Sequence, residues 1–328
     1  MPRRVYDPKM TLARSHYALA CLIASACAGA APAASPQKAA SAAPTHAAPS
    51  LPATASAAPA SVAPIAAAPR PCGAFDCLAF TTPEAAFEYV LRTDPRVLAI
   101  GEAHAQDGAP GVRSSTRRFA ERLLPLLSGK SQHIVIELLL ANCKQQTLTG
   151  VTQAQAPVTE HQAQSNQSEF LTLGKYAQRL GIEPQALNPS CAEYDAVLAT
   201  GEDSVAGLLA LVAEQTRKSV EALLLDPKSA SGVILSYGGA LHNDLEPRPG
   251  QEGWSFGPQL AAASHGRYVE LDLIVPEFVK DSEAWRKLPW FSAFDREHLV
   301  SETLLYQPSP RSFALIFPKT DNAPAKAQ

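Results

Sequence analysis

Short apolar runs separated by longer mixed segments recur between residues 96 and 319 of the chain. Each run is of strand length and is rich in Val, Ile, Leu or aromatic residues, which predicts a buried β-strand. The predicted strands are RVLAIGE (96–102), HIVIELLL (133–140), EPQALNPS (183–190), SGVILSYGGALHN (231–243), RYVELDLIVP (267–276) and RSFALIFPK (311–319).

Between these runs, apolar residues repeat at the three- and four-residue spacing of an amphipathic helix. The predicted helices cover 114–129, 169–181, 203–225 and 257–266, and the stretch 203–225 is either one long helix or two. Strands that alternate with helices predict an α/β fold with a mainly parallel sheet flanked by helices. Sites in such folds lie at the carboxyl ends of the strands.

Two segments carry polar residues in patterns that predict exposure. Residues 144–168 are Gln-rich without a clear period, which predicts a long loop or insertion near the carboxyl end of the sheet. In YVELDLIV, Glu270 and Asp272 alternate with apolar residues. This alternation predicts an edge strand with one face in water.

The termini differ from the rest of the chain. Residues 1–27 combine a basic start with a short apolar run, which predicts a secretory signal peptide. The motif ASAC at 24–27 leaves two alternatives. It is a lipobox, which would make Cys27 the lipid-anchored first residue of the mature protein, or the signal peptide is removed by ordinary cleavage near residues 28–30. Residues 28–71 consist mostly of Ala, Pro, Ser and Thr and predict a disordered linker. A single domain is expected over 72–320, with a disordered tail at 321–328.

The signal-like start, the cysteines and the net charge limit where the protein is expected to be and which classes of partner it is expected to bind. We expect an exported protein, either a periplasmic or outer-membrane lipoprotein or a secreted one, that touches a membrane only through an anchor at Cys27. Four cysteines remain after the signal, and an even number in an exported chain predicts disulfides. Cys72 with Cys77 would close a small loop, and Cys143 with Cys191 would join neighbouring loops. The formal charge of −3 argues against a nucleic-acid partner.

Acidic residues and histidines cluster where the predicted strands end. Glu102 and His104 follow the first strand at i and i+2, so their side chains point to the same side. Glu137 lies within the apolar run of the second strand, where an isolated carboxylate would be costly. If the strands are neighbours, Glu137 is expected to approach and orient His104.

The fourth strand ends in a second cluster of the same kind. After the Gly238–Gly239 pair come His242 and Asp244, although HND is also typical of a turn. Tyr237 precedes the glycines and points either toward the site or into the core. Together Glu102, His104, Glu137 and His242 predict either a divalent-metal site with nitrogen and oxygen ligands or a general base with an orienting carboxylate.

The motifs IGEAH, VIELL and GGALHND resemble those of the superfamily that contains Tiki/TraB, ChaN and erythromycin-esterase proteins. The resemblance covers roughly residues 95–275 as scattered short motifs. It implies an α/β fold whose site is formed by Glu102, His104, Glu137 and His242. Tiki-like members are metal-dependent proteases, esterase-like members activate water with His and Glu, and ChaN-like members are exported lipoproteins that bind haem.

Three functions follow from this resemblance. The first is metal-assisted or His/Glu-catalysed hydrolysis of an ester or amide in a small-molecule or peptide substrate. The alternative is haem or iron binding without turnover, with Tyr237 or His242 as the ligand. In the third, the chain shares only the fold and serves a partner protein.

Overall fold

The computed structural model of this protein describes residues 70–71, 77–107, 109, 111–140, 142–288, 290–291, 294 and 302–320. The predicted signal peptide, the tail and nearly all of the predicted linker lie outside the described residues. The last two residues of that linker, Arg70–Pro71, form a short strand that pairs with the domain. Within the described part of the chain, no helix is long and apolar enough to cross a membrane.

In the part of the chain that the structure describes, nine strands form one sheet, in the order β1-β2-β8-β9-β7-β3-β6-β4-β5. They are β1 Arg70–Pro71, β2 Cys77–Phe80, β3 Val97–Glu102, β4 Ser131–Leu139, β5 Glu183–Leu187, β6 Val233–Gly239, β7 Tyr268–Ile274, β8 Thr303–Ser309 and β9 Ser312–Ile316. The six strands β9, β7, β3, β6, β4 and β5 each run parallel to their neighbours within this group. Beyond β9, the strands β8, β2 and β1 extend the sheet as antiparallel pairs. The predicted α/β fold with a mainly parallel sheet is confirmed.

Helices connect the parallel strands and cover both faces of the sheet. They are α1 Pro83–Leu91, α2 Ser115–Arg118, α3 Gln145–Thr159, α4 Asn166–Arg179, α5 Cys191–Leu198, α6 Ser204–Leu225, α7 Gly257–Ala263 and α8 Glu283–Arg286. A π-helical turn over 119–123 and a 3-10 turn over 124–127 continue α2, so helical structure spans most of the predicted 114–129 segment. The stretch 203–225 is one helix rather than two.

The alternation of side chains along each strand divides the core between the two faces. Even-numbered residues of β3 and β4, such as Ile100 and Ile136, pack with Phe87, Phe119 and Phe170 from α1, the π-helical turn and α4. We call this side the α4 face. Odd-numbered residues, such as Ala99 and Val135, pack instead against α3, α5, α6 and α7 on the other side, the α6 face. Whether a residue of β3 or β4 has an even or an odd number, which we call its parity, also decides on which face a polar residue at the strand end lies.

The prediction of a loop over 144–168 is wrong. Most of this segment forms α3 and the start of α4, and only Val151 and Gln155 of α3 are buried. Two buried positions make too narrow an apolar stripe to produce a visible period in the sequence. Gln and Ala nevertheless have good intrinsic helix propensity, and packing against α5 and α6 provides the rest.

The prediction that 267–276 forms an edge strand with a wet face is also wrong. β7 lies between β3 and β9 in the interior of the sheet. All seven of its residues are buried, including Glu270 and Asp272. The sequence pattern could not show this because β8 and β9, which extend the sheet beyond β7, come from the far end of the chain.

The predicted bridge between Cys143 and Cys191 is confirmed. It links the loop after β4 to the first residue of α5, which follows β5, so it ties together two neighbouring strand ends. Cys77 is also disulfide-bonded, while Cys72, its predicted partner, lies outside the described residues. Disulfides of this kind persist in oxidising compartments.

Replacing both cysteines of the first bridge, Cys143→Ser with Cys191→Ser, should lower the free energy of unfolding by roughly 2–4 kcal/mol. The bridge closes a loop across a separation of 48 residues and so restricts the unfolded chain. Urea denaturation followed by circular dichroism measures the difference. An unchanged midpoint and slope would contradict this role for the bridge.

Candidate active site

Glu102 and His104 are held on the α4 face at the carboxyl end of β3. Both side chains are buried, with 2% and 3% of each residue exposed. His104 Nδ1 lies 2.7 Å from Glu102 Oε1. Because a carboxylate oxygen can only accept, Nδ1 carries a proton, and when the imidazole is neutral its lone pair is on Nε2.

Two hydroxyl groups fix the other oxygen of Glu102. Thr116 Oγ1 of α2 and the Tyr237 hydroxyl of β6 both donate to Glu102 Oε2, at 2.7 Å and 2.6 Å. Together with His104, three donors from different parts of the chain therefore stabilise one buried carboxylate. Hydrogen bonds to an ionised acceptor are among the strongest in proteins, so Glu102 has a defined position and orientation.

Aromatic rings form the wall behind this carboxylate. The Tyr237 ring stacks on Phe119 at 5.0 Å and meets Phe170 edge-on at 5.7 Å. Phe170 also lies 6.1 Å from the His104 ring. Burial raises the pKa of Tyr237 well above its ordinary value, so its hydroxyl stays neutral and remains a donor to Glu102. The ring thus belongs to the core, and the hydroxyl belongs to the site.

Three consecutive hydroxyl residues anchor the start of α2. No role for their side chains was predicted from the sequence. Ser114 Oγ donates to Glu169 of α4, Ser115 Oγ donates to the Leu273 carbonyl of β7, and Thr116 binds Glu102. The serines were visible only as a helix start. Their partners come from distant parts of the chain, so no local signal identified Thr116 or Glu169.

Glu137 and His242 form a separate pair on the α6 face. Glu137 Oε2 accepts a hydrogen bond from the Gly239 backbone N–H at 2.6 Å, and Oε1 lies 3.7 Å from His242 Nε2. His242 Nδ1 donates to the Trp254 carbonyl at 2.7 Å, so Nδ1 carries a proton. The expectation that Glu137 orients His104 is therefore wrong. Residue 137 has odd parity on β4, so its side chain leaves the sheet on the opposite side.

A small polar cavity adjoins this second pair. Its volume is about 10 Å³, and its lining includes Glu137, Ser236, His242 and Asn243. Within the described part of the chain, Glu137 Oε1 and Ser236 Oγ are buried without a hydrogen-bond partner. A polar space of this size suits one water molecule and nothing larger.

The four predicted metal ligands do not form one ligand set. They are divided into two Glu/His pairs on opposite faces of the sheet, and each pair offers two side chains. Among the described residues, no group of three or more His, Cys, Asp or Glu side chains is arranged to hold a metal ion. The residues present therefore do not fit the divalent-metal site that the sequence predicts.

The two predicted haem ligands do not fit a haem in this structure. The Tyr237 hydroxyl is bound to Glu102, and its ring is packed between two phenylalanines. His242 is buried beside a cavity of about 10 Å³, far smaller than a porphyrin. Haem ligation by these two residues stays a prediction that would need a rearranged site.

A group of acids lies on the α6 face next to the second pair, in which Glu270 and Asp272 are buried and Asp244 is partly exposed. Leu245 N–H and Ser312 Oγ donate to Glu270, and Asn243 Nδ2 donates to Asp272 at 3.1 Å. Burial raises the pKa of Asp244 to about 8 and that of Glu270 to about 7, and it raises the pKa of Asp272 well above its usual range. Asp244, which the sequence suggested as a site residue, belongs to this acidic group and not to either Glu/His pair.

Glycines make room for these polar side chains. A Cβ on Gly101 would lie 2.5 Å from Asn243 Oδ1 and 2.6 Å from Asp272 Oδ1. A Cβ on Gly238 would collide with the Glu137 carboxylate and lie 2.8 Å from Glu137 Cβ. The glycines beside the Glu/His motifs are therefore needed for space where neighbouring strands carry acids.

No family model, no curated protein and no solved structure matches this chain. The resemblance to the Tiki/TraB, ChaN and erythromycin-esterase superfamily consequently stays a prediction.

Gly238→Ala should destabilise the protein by about 1–3 kcal/mol, because the new methyl group displaces Glu137 from the Gly239 N–H. Gly253→Ala is the matched control, since a Cβ there meets no atom within 4 Å. Chemical denaturation of both variants gives the comparison. Equal stabilities would contradict the close approach of Glu137 to β6.

The two acids of β7, Glu270 and Asp272, make the free energy of unfolding depend on pH. Their pKa values are higher in the folded than in the unfolded protein, so the folded state binds more protons from about pH 4 upward, and for Glu270 up to about pH 7. The free energy of unfolding therefore falls as pH rises through that window. Asp272→Asn, whose amide stays neutral, should flatten this slope and change stability more favourably at pH 8 than at pH 5.

Denaturation curves at pH 5 and pH 8 test this expectation. Asp203→Asn, at an exposed residue before α6, serves as the control and should keep the wild-type slope. A D272N protein with the wild-type slope would show that Asp272 is ionised in the folded state.

Proposed function

We propose that this protein is an exported hydrolase in which His104, oriented by Glu102, activates water for attack on the carbonyl carbon of an ester or amide. The observation that carries the proposal is the 2.7 Å hydrogen bond between His104 Nδ1 and a carboxylate that Thr116 and Tyr237 hold from behind. A buried imidazole with a fixed tautomer and an adjacent carboxylate is suited to general-base catalysis.

The reaction follows from that arrangement. His104 Nε2 takes a proton from water as the water oxygen bonds to the carbonyl carbon, and Glu102 stabilises the imidazolium that forms. The tetrahedral intermediate then breaks its bond to the leaving oxygen or nitrogen, which receives the proton from Nε2. Since His104 is buried, a substrate reaches it only after the neighbouring chain moves aside.

Export is part of the same proposal. The signal-like sequence of residues 1–27 supports it, and the Cys143–Cys191 disulfide is consistent with an oxidising compartment. Lipid attachment at Cys27 and simple secretion remain the two alternatives. Mass spectrometry of the mature N-terminus separates them, because a diacylglycerol on Cys27 adds a characteristic mass.

His104→Ala and Glu102→Gln should each lower hydrolysis by roughly 10²–10⁴-fold in kcat/KM. The first variant removes the base, and the second replaces the acceptor for Nδ1–H with an amide that favours the wrong tautomer. A p-nitrophenyl ester series and fluorogenic peptides provide the assay. His161→Ala changes an exposed histidine paired with Glu160 and should retain full activity. Wild-type rates in H104A would end the proposal.

A haemin titration separates this function from the haem-binding alternative. No contact in the described structure favours haem, so the Soret band should show no saturable shift. A one-to-one shift that is lost in His242→Ala, combined with no hydrolysis by the wild-type protein, would replace the proposed hydrolase with a haem-binding protein.

A further inference from the structure

A third carboxyl group lies beside the Glu102–His104 pair, on α4. Glu169 is half-buried, and its Oε2 accepts a short hydrogen bond from Ser114 Oγ. Burial raises the pKa of Glu169, the Ser114 hydroxyl lowers it, and the charge of Glu102 raises it. The proposed mechanism gives this acid no role, although its charge is felt at the site.

Hydrogen bonds and the backbone of the first turn of α2 together connect Glu169 to the imidazole. Ser114 is the N-cap of α2, and its Oγ also accepts from the Arg117 N–H at 3.0 Å. Ser114 therefore fixes the first turn of α2, which carries Thr116. Thr116 donates to Glu102, and Glu102 accepts from His104 Nδ1.

The same helix also contacts the other side of His104. One turn of α4 contributes Asn166, whose Nδ2 donates to the Ala105 carbonyl at 3.1 Å, and Phe170, whose ring lies against His104. Glu169 lies on this turn between them. As a result, α4 supports the imidazole directly and supports its carboxylate partner through α2.

We propose that Glu169 is a positioning residue of this site, which through Ser114 holds the turn of α2 that carries Thr116 and thereby keeps Glu102 against His104 Nδ1. The role in catalysis rests on the proposed function, whereas the coupling between Glu169 and the Glu102–His104 hydrogen bond does not. Glu169 thus acts on the site through the hydroxyl groups of Ser114 and Thr116.

The test uses the proton on His104 Nδ1, which gives a downfield NMR resonance when it is bound to a carboxylate. Glu169→Ala and Ser114→Ala each break the connection at one end, so both should shift or broaden that resonance. Glu169→Gln keeps an amide oxygen that accepts from Ser114, so it should retain the wild-type signal. Assignment of the resonance relies on its loss in His104→Ala.

Activity and stability are measured on the same proteins. Glu169→Ala should lower kcat by about tenfold to a hundredfold with little change in KM, because the substrate still binds but the base is misplaced. The double variant with Ser114→Ala should be no worse than either single one, since both remove the same link. Gln178→Ala, at an exposed position on α4, is the control and should change none of these values.

Different results overturn different claims. If the resonance is unchanged in both Glu169→Ala and Ser114→Ala, Glu169 does not position the site, whatever the activity. If Glu169→Gln behaves like Glu169→Ala, the charge rather than the link matters, and the positioning role is wrong. If His104→Ala hydrolyses normally but the resonance responds as expected, the proposed function fails and the positioning role stands.

Discussion

The carboxylate of Glu102 is the point on which the candidate site depends. It lies inside the protein, where an ionised group without donors would cost several kcal/mol. Three donors offset that cost: an imidazole two residues further along the chain, a hydroxyl from α2 and a hydroxyl from β6. Each donor requires its own element to be in place. The site is therefore formed only when α2 and β6 are packed around the end of β3.

Side-chain parity along the strands is the second constraint, and it separates residues that the sequence groups together. Glu102 and Tyr237 lie on one face because Tyr237 is opposite Ile100 in the register and Ile100 precedes Glu102 by two residues on β3. Glu137 follows Ile136, which lies on the same face as Ile100, so its own side chain leaves the sheet on the other side. The opposite faces of Glu102 and Glu137 therefore divide the four predicted residues into two Glu/His pairs.

The sequence was sufficient for features that depend on local patterns. Apolar runs located the parallel strands, and the i, i+2 spacing correctly put Glu102 and His104 on one side. Features that depend on distant segments were not accessible. The interior position of β7 requires β9 beside it, and the role of Thr116 requires Glu102 at its hydroxyl. The helix over 145–159 was missed because its buried stripe has two residues, too few to distinguish from a polar loop.

The two Glu/His pairs both lie at the carboxyl ends of the strands, yet their geometries suit different tasks. Glu102 is in hydrogen-bond contact with its histidine and has donors on both oxygens, so it can hold one tautomer and one orientation through a proton transfer. Glu137 stands 3.7 Å from its histidine, keeps one oxygen without a donor among the described residues, and faces a space of one water molecule. Its other oxygen accepts a hydrogen bond from the Gly239 backbone N–H, so Glu137 joins the end of β6 to β4. The first geometry favours catalysis, and the second favours holding the strand ends in the register that the first one needs.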